Sequence, residues 1–151
     1  MDIATLEDHE RRLVLTRFTE ATAVDLGLAL VDLARAGQLP VVIDIRTPDR
    51  TLFHAAMPGA TPLNTLWARR KSNATLMWHA SSLLIGARMA GKGDTVAVHG
   101  LPEADHAVHG GSFPIRVAGV GVVAAVTVSG LPSVEDHALV VRALGALMQT
   151  M

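Results

Sequence analysis

Three short stretches of this chain carry side chains with chemistry to offer. In the first, His106 and His109 stand as H-x-x-H, while Asp105, Asp136 and His137 add further donors from polar loops or helix starts. Imidazole and carboxylate are the ligand types from which a zinc-like or iron-like site is assembled. Two rings at that spacing converge only on a helix, and Gly110 with Gly111 ends any helix there. No metal is therefore expected, and His106 and His109 are the ligands one would use. The simpler reading has His109 capping the glycine turn through a backbone hydrogen bond and His106 solvated.

The second stretch is "HGGSFPIRV", His109 to Val117. A histidine followed by two glycines matches the backbone oxyanion hole of esterases, with Ser112 or Ser129 as nucleophile. The chain lacks G-x-S-x-G and the parallel sheet that supports such an elbow, so acyl transfer is set aside. What remains for catalysis is His109 and Asp136 as an acid and base, with no cofactor motif beside them. The third stretch is "NTLWARRKSN", Asn64 to Asn73. On a helix Trp67, Arg70 and Lys71 share one face, joining an aromatic plane to two positive charges, which suits a planar or carboxylate-bearing ligand. The same face also reads as a buried tryptophan with solvated or ion-paired basic residues.

These stretches must be placed by a framework, and the order of elements supplies one. Thr5 with Asp8 resembles a capping box for a short first helix, followed by a brief strand around Leu13 to Leu15. Ala23, Leu26, Leu30, Leu33 and Ala34 recur at helical spacing from Thr22 to Ala36, with Gly37 placed as a left-handed cap. Two β-rich runs, Val42 to Ile45 and Thr51 to Ala55, flank a Thr47-Pro-Asp-Arg50 turn. A long helical segment runs from Asn64 to about Met89, with a break marked by Ser81 and Ser82. After an irregular stretch from Gly91 to Gly110, "FPIRV" and "VVAAVTVS" form a second hairpin. Ser133 and Asp136 read as a capping pair for the last helix. Hairpins impose antiparallel pairing, so the expected α/β (α+β) architecture is a five-stranded antiparallel sheet with helices on its faces.

Composition narrows the function classes. At 151 residues one domain spanning 1–151 is expected, and 50% apolar with 18% charged residues suggests surface buried against another copy. Thirteen basic against 14 acidic residues give no general attraction to nucleic acid or an anionic membrane. No cysteine is present, which removes disulfides, thiolate metal sites and cysteine nucleophiles. The acidic, polar N-terminus is unlike a signal peptide, and no apolar run approaches the ~18 residues of a membrane span. A cytoplasmic protein is the expectation.

Taken together, "NTLWARRKSN", "HGGSFPIRV" and "VSGLPSVEDH" resemble a bacterial and fungal group within the haem-degrading-domain (GlcG/HbpS-like) superfamily. The resemblance implies a profilin-like three-layer α/β/α domain that assembles into homo-oligomers, and it brings haem forward as a ligand. With no cysteine or tyrosine in the chain, histidine and methionine are the ligands left for haem iron. The reading is a homo-oligomeric small-molecule-binding domain for haem or another anionic planar ligand. Its expected site is Trp67, Arg70, Lys71, His109, Gly110, Gly111, Ser112, Phe113, Ser129 and Gly130. Two alternatives stand beside it: an interaction protein whose motifs maintain the oligomer, and an enzyme of unknown reaction.

Overall fold

A computed structural model describes all residues, Met1 to Met151. The elements run α1 (Ile3–Arg12), β1 (Val14–Leu15), α2 (Glu20–Gly37), β2 (Val42–Arg46), β3 (Thr51–Ala56), α3 (Pro62–Trp78), α4 (Ser82–Lys92), β4 (Ser112–Val117), β5 (Gly121–Ser129) and α5 (Ser133–Met148). One sheet in the order β1-β4-β5-β2-β3 carries them. The two hairpins, β2 with β3 and β4 with β5, pair antiparallel as their turn chemistry requires, and β5 with β2 joins them antiparallel in the centre.

The sheet is nonetheless mixed. β1 lies parallel to β4, with Val14 opposite Arg116 and Leu15 opposite Val117, so the expectation of a purely antiparallel sheet is corrected. No hairpin links these two strands, and a two-residue strand delivered to the sheet edge by a helix is free to pair in either sense. A Glu10–Arg116 ion pair at 2.6 Å fastens α1 beside that edge.

Alternation along the strands divides the molecule. Ala124, Val126 and Val128 of β5, Ile43 and Ile45 of β2 and Phe113 and Ile115 of β4 point to one face, where they form the main apolar core with Leu26 and Leu30 of α2 and Val140 and Leu144 of α5. The residues between them, Thr127, Asp44, Ser112 and Ser129, are buried on the other face. There α3 lies across the sheet and contributes the equally buried Ser72 and Thr75. A smaller apolar cluster of Leu6, Ala74, Leu84, Ile85 and Met89 joins α1, α3 and α4 beyond it.

The helix ends follow local chemistry. Thr19 and Thr22 form the capping box of α2, and Gln38, one residue past the expected Gly37, takes the left-handed cap at φ 50°. Pro62 opens α3 behind a Thr61–Asn64 capping box. The helix breaks where Ser81 and Ser82 suggested, because His79 turns left-handed and the Ser81 hydroxyl accepts the Leu84 N–H at 3.3 Å to start α4. Two capping expectations fail. α1 is capped by Asp2, which accepts from the Thr5 N–H at 2.8 Å, while Asp8 pairs with Arg11 and Arg12. α5 begins after Pro132 with no side-chain cap, because Ser133 and Asp136 are engaged elsewhere.

Candidate functional site

Where the starts of β4 and α5 and the end of β5 meet the first half of α3, an open cleft of about 240 Å³ forms. α3 contributes Asn64, Trp67 and Lys71, the approach to β4 contributes His109 and Gly110, and the β5–α5 connection contributes Ser129, Gly130, Leu131, Ser133 and Asp136.

Its floor is an ion pair. Lys71 is 2% exposed, and its Nζ donates to the carbonyls of Gly110 at 2.8 Å and Val128 at 2.7 Å and to Asp136 Oδ2 at 3.1 Å. All three ammonium protons are thereby used. The Asp136 carboxylate also accepts from the N–H groups of Leu131 at 2.9 Å and Gly130 at 3.3 Å. Burial pushes the Lys71 pKa down and the Asp136 pKa up, and in each case the partner's charge opposes the shift. With every proton and both oxygens engaged, the charged pair is the form that satisfies the geometry. The pair ties the loop carrying His109 to the loop carrying Ser129 to Leu131.

Above this floor stand the accessible groups. Trp67 meets the exposed ring of His109 edge-on, with centroids 4.9 Å apart. The Arg70 guanidinium lies over Trp67 at 4.4 Å and donates from Nε to the Glu103 carbonyl at 3.1 Å. No hydrogen bond engages the His109 ring, so both its nitrogens are available to a ligand. The Ser133 hydroxyl accepts the Gly110 N–H at 2.5 Å.

The structure thus brings Trp67, Lys71, His109, Gly110, Ser129 and Gly130 to one cleft, with Arg70 at its rim. It separates Lys71 from the other two basic-face residues: helical spacing puts the three side by side, but Lys71 turns inward and only Arg70 presents charge. Gly111, Ser112 and Phe113 lie behind the cleft wall. Phe113 is fully buried in the apolar core, and Ser112 donates its N–H to Ser82 Oγ at 3.0 Å while its own hydroxyl accepts from Thr127 at 2.9 Å. A Cβ on Gly110 would strike the Ser133 carbonyl. One on Gly111, which sits at φ 134°, would strike the Val128 carbonyl and Lys71 Nζ. The glycines make room for the chain's own atoms.

Of the remaining candidates, Asp136 is 2% exposed and committed to Lys71, and no hydrogen bond joins it to His109. His106 bonds the Pro102 carbonyl through Nδ1 at 3.0 Å, and Asp105 pairs with Arg69 at 3.0 Å. No three His, Asp or Glu side chains gather at ligand spacing. Asn64 and Ser133 also line the cleft, although in the sequence both read only as helix-start residues. A second polar cluster, Asp44 with Arg46 at 2.6 Å and His54 at 2.8 Å, was not singled out in the sequence. The alternation of Asp44 and Arg46 about Ile45 was the available signal, since it puts both on one face of β2.

The fold and cleft define a helix–sheet–helix domain with a polar recess at one corner of a five-stranded sheet. The chain belongs to the haem degrading protein HbpS-like family, whose pattern matches residues 18–145. It is 52% identical over 143 residues to a UPF0303 protein of Streptomyces coelicolor, covering 94% of this chain and 90% of that one. A UPF0303 protein of Burkholderia thailandensis is 48% identical over 147 residues, covering 97% and 89%. Among solved structures, the Ybr137w protein superposes with a TM-score of 0.88 at 30% identity, covering 99% of this chain and 89% of that one. HbpS shares the fold with a TM-score of 0.70 at 24% identity, covering 88% and 91%. The PduOC:haem complex shares it with a TM-score of 0.73 at 18% identity, covering 85% and 94%. No helix is long and apolar enough to cross a membrane.

Proposed function

We propose that this chain is a cytoplasmic, homo-oligomeric small-molecule-binding domain whose cleft takes a planar anionic ligand, haem being one member of that class. The observation that carries the reading is the Arg70–Trp67–His109 stack at the cleft rim, an indole with a guanidinium on its face and an uncommitted imidazole at its edge. A flat ligand gains stacking area on the indole, its carboxylate gains the guanidinium, and His109 offers a hydrogen bond or a metal-ligating nitrogen. The Lys71–Asp136 pair beneath is electrically closed and works as a positioning element for the two loops.

Haem fits this donor set. His109 would hold its iron and Arg70 would pair with its carboxylates, and the group would supply redox chemistry when bound. Support comes from the family to which the chain belongs and from a haem complex among the proteins that share its fold. A homo-oligomer is favoured by the cleft's size, below the ~300–1,000 Å³ of ordinary ligand sites, and by Leu63 and Leu66, which are 59% and 44% exposed on α3 next to Trp67. A second subunit seated there would bury them and wall the cleft. Titration with haemin, read at the Soret band, tests the haem version: a saturable shift that His109→Ala abolishes is expected, and no shift at micromolar haemin overturns it. Native mass spectrometry tests the assembly, and a monomer at micromolar concentration would contradict it.

A further inference from the structure

The interior of the cleft holds no free charge. Lys71 directs its three protons to two carbonyls and to Asp136, and Asp136 is neutralised in return. Arg70, which pairs with no carboxylate, stands outside at the rim over Trp67. An anionic oxygen pushed past the rim would lose water and gain no counter-charge, so the interior favours uncharged groups.

Three neutral side chains line that interior with hydrogen-bonding capacity unused. Ser129 ends β5, and the alternation that sends Thr127 to the α3 face sends Ser129 there too. Its side chain is 3% exposed, and its hydroxyl makes no hydrogen bond within the chain. The side-chain polar atoms sealed from solvent without a partner are Thr75 Oγ1 and His137 Nδ1, so the Ser129 Oγ keeps its opening onto the cleft. The Ser133 Oγ accepts the Gly110 N–H, which leaves its own proton to donate. Asn64 Oδ1 accepts the Thr61 N–H at 2.9 Å, which fixes the amide and leaves the Nδ2 protons free. A buried hydroxyl without a partner carries a desolvation cost that a ligand atom would offset.

The apolar side chains of the cleft are Trp67 from α3 and Leu131 from the β5–α5 connection. A recess with these walls and a neutral hydrogen-bonding interior matches the edge of an aromatic ring that carries an oxygen. Since a dry cavity of about 150 Å³ holds benzene, a cleft of about 240 Å³ admits one substituted ring.

We infer that the interior of the cleft is a subsite for an uncharged hydroxyl or carbonyl oxygen, so that the ligand is a planar carboxylate with its charge at the rim and a neutral oxygen on the opposite edge. Hydroxylated aromatic carboxylates are the chemical class. This rests on the proposed planar-anion reading and adds what the far end of the ligand must carry. Ser129 and Ser133 hold that oxygen, and Asn64 supplies a further donor.

Three probes share a benzoate ring and differ opposite the carboxylate: benzoate has a hydrogen there, 4-hydroxybenzoate a phenol that stays protonated at pH 7, and terephthalate a second carboxylate. Calorimetric titration of the full chain should find 4-hydroxybenzoate about tenfold tighter than benzoate, through two neutral hydrogen bonds, and terephthalate weaker than benzoate. Ser129→Ala should bring the constants for benzoate and 4-hydroxybenzoate to within about twofold of each other, at an unchanged urea midpoint. A lowered midpoint would show the hydroxyl bonded within the fold and overturn the subsite. Equal affinity of the unaltered chain for benzoate and 4-hydroxybenzoate, or terephthalate binding as tightly as 4-hydroxybenzoate, would overturn it too, while benzoate binding would still support the planar-anion reading. If none of the three binds, both readings fall.

Discussion

On one face of the sheet Phe113, Ile115, Val126 and Val128 meet α2 and α5 with their side chains wholly apolar. On the other face the alternating positions hold the equally buried Ser112, Thr127 and Asp44, which stand in register across the sheet and end at the more exposed His54 on the fourth strand. Ser112 of β4 is opposite Thr127 of β5, Thr127 is opposite Asp44 of β2, and Asp44 is opposite His54 of β3. Ser72 of α3 bonds Thr127 at 2.8 Å, and Lys71, one residue before it, reaches the Asp136 pair. The apolar face specifies the fold by exclusion of water, which is tolerant of exact partners. The hydrogen-bonded face specifies positions, because each buried donor left without its acceptor costs free energy. The cleft lies on the second face, where loops must be held in place while their outer side chains stay accessible.

The contrast can be broken at either face. The largest loss is expected for Phe113→Ala, which opens a cavity in the apolar core and should lower unfolding free energy in urea by about 3–5 kcal/mol. Lys71→Met leaves Asp136 buried without its cation and should lose a similar ~3–5 kcal/mol, with one difference. The double change Lys71→Met with Asp136→Leu should recover much of the stability while leaving ligand affinity impaired, because loop positioning is not restored. A double variant no more stable than Lys71→Met would show that the pair does not act as a unit.

Acid tests the junction of the N-terminal helix with the core. His137 of α5 is fully buried, and burial lowers its pKa from the ordinary 6.5 to about 4. Its Nε2 lies 3.0 Å from His9 Nδ1 of α1, and Nδ1 of His137 has no partner. Folding keeps this ring neutral whereas the unfolded chain protonates it, so its contribution is complete above about pH 6.5 and is lost as the pH falls toward 4. The loss should be of the order of 3 kcal/mol across that window, read from urea midpoints at successive pH values. Asp136, whose carboxyl is pushed up by burial, acts in the opposite sense. His137→Phe should flatten the pH dependence; an unchanged slope would contradict the assignment. The smallest effect belongs to Thr127→Val, which keeps volume but removes the hydroxyl joining Ser72 to Ser112. About 1 kcal/mol should be lost, since Ser72 retains the Ala68 carbonyl at 2.7 Å.

Much of the apolar face was legible in the sequence. β-rich runs flanking turn residues located both hairpins, and the helical spacing of Leu26, Leu30 and Ala34 located α2. The parallel strand β1 was not legible as parallel, because only two of its residues pair and their partners, Arg116 and Val117, lie about a hundred positions away. The polar face was harder to read. Buried Lys71 and Asp136 look in sequence like solvated helix residues, since their burial depends on each other and on the Gly110 and Val128 carbonyls. The stretches around Trp67, His109 and Gly130 did converge, because glycine and aromatic residues in otherwise regular segments mark close approaches. Ser112 and Phe113, adjacent to that site in sequence, turned inward as strand residues do.

The most direct test of the account uses the chain's two tryptophans. Trp78→Phe leaves Trp67 as the sole indole, and its emission then reports on the cleft alone. Benzoate added to this variant should quench or shift Trp67 emission saturably, with affinity reduced about tenfold by Arg70→Gln, the loss of one charge-assisted contact. Emission indifferent to benzoate, or binding unaffected by Arg70→Gln, would contradict a planar-anion site on the hydrogen-bonded face.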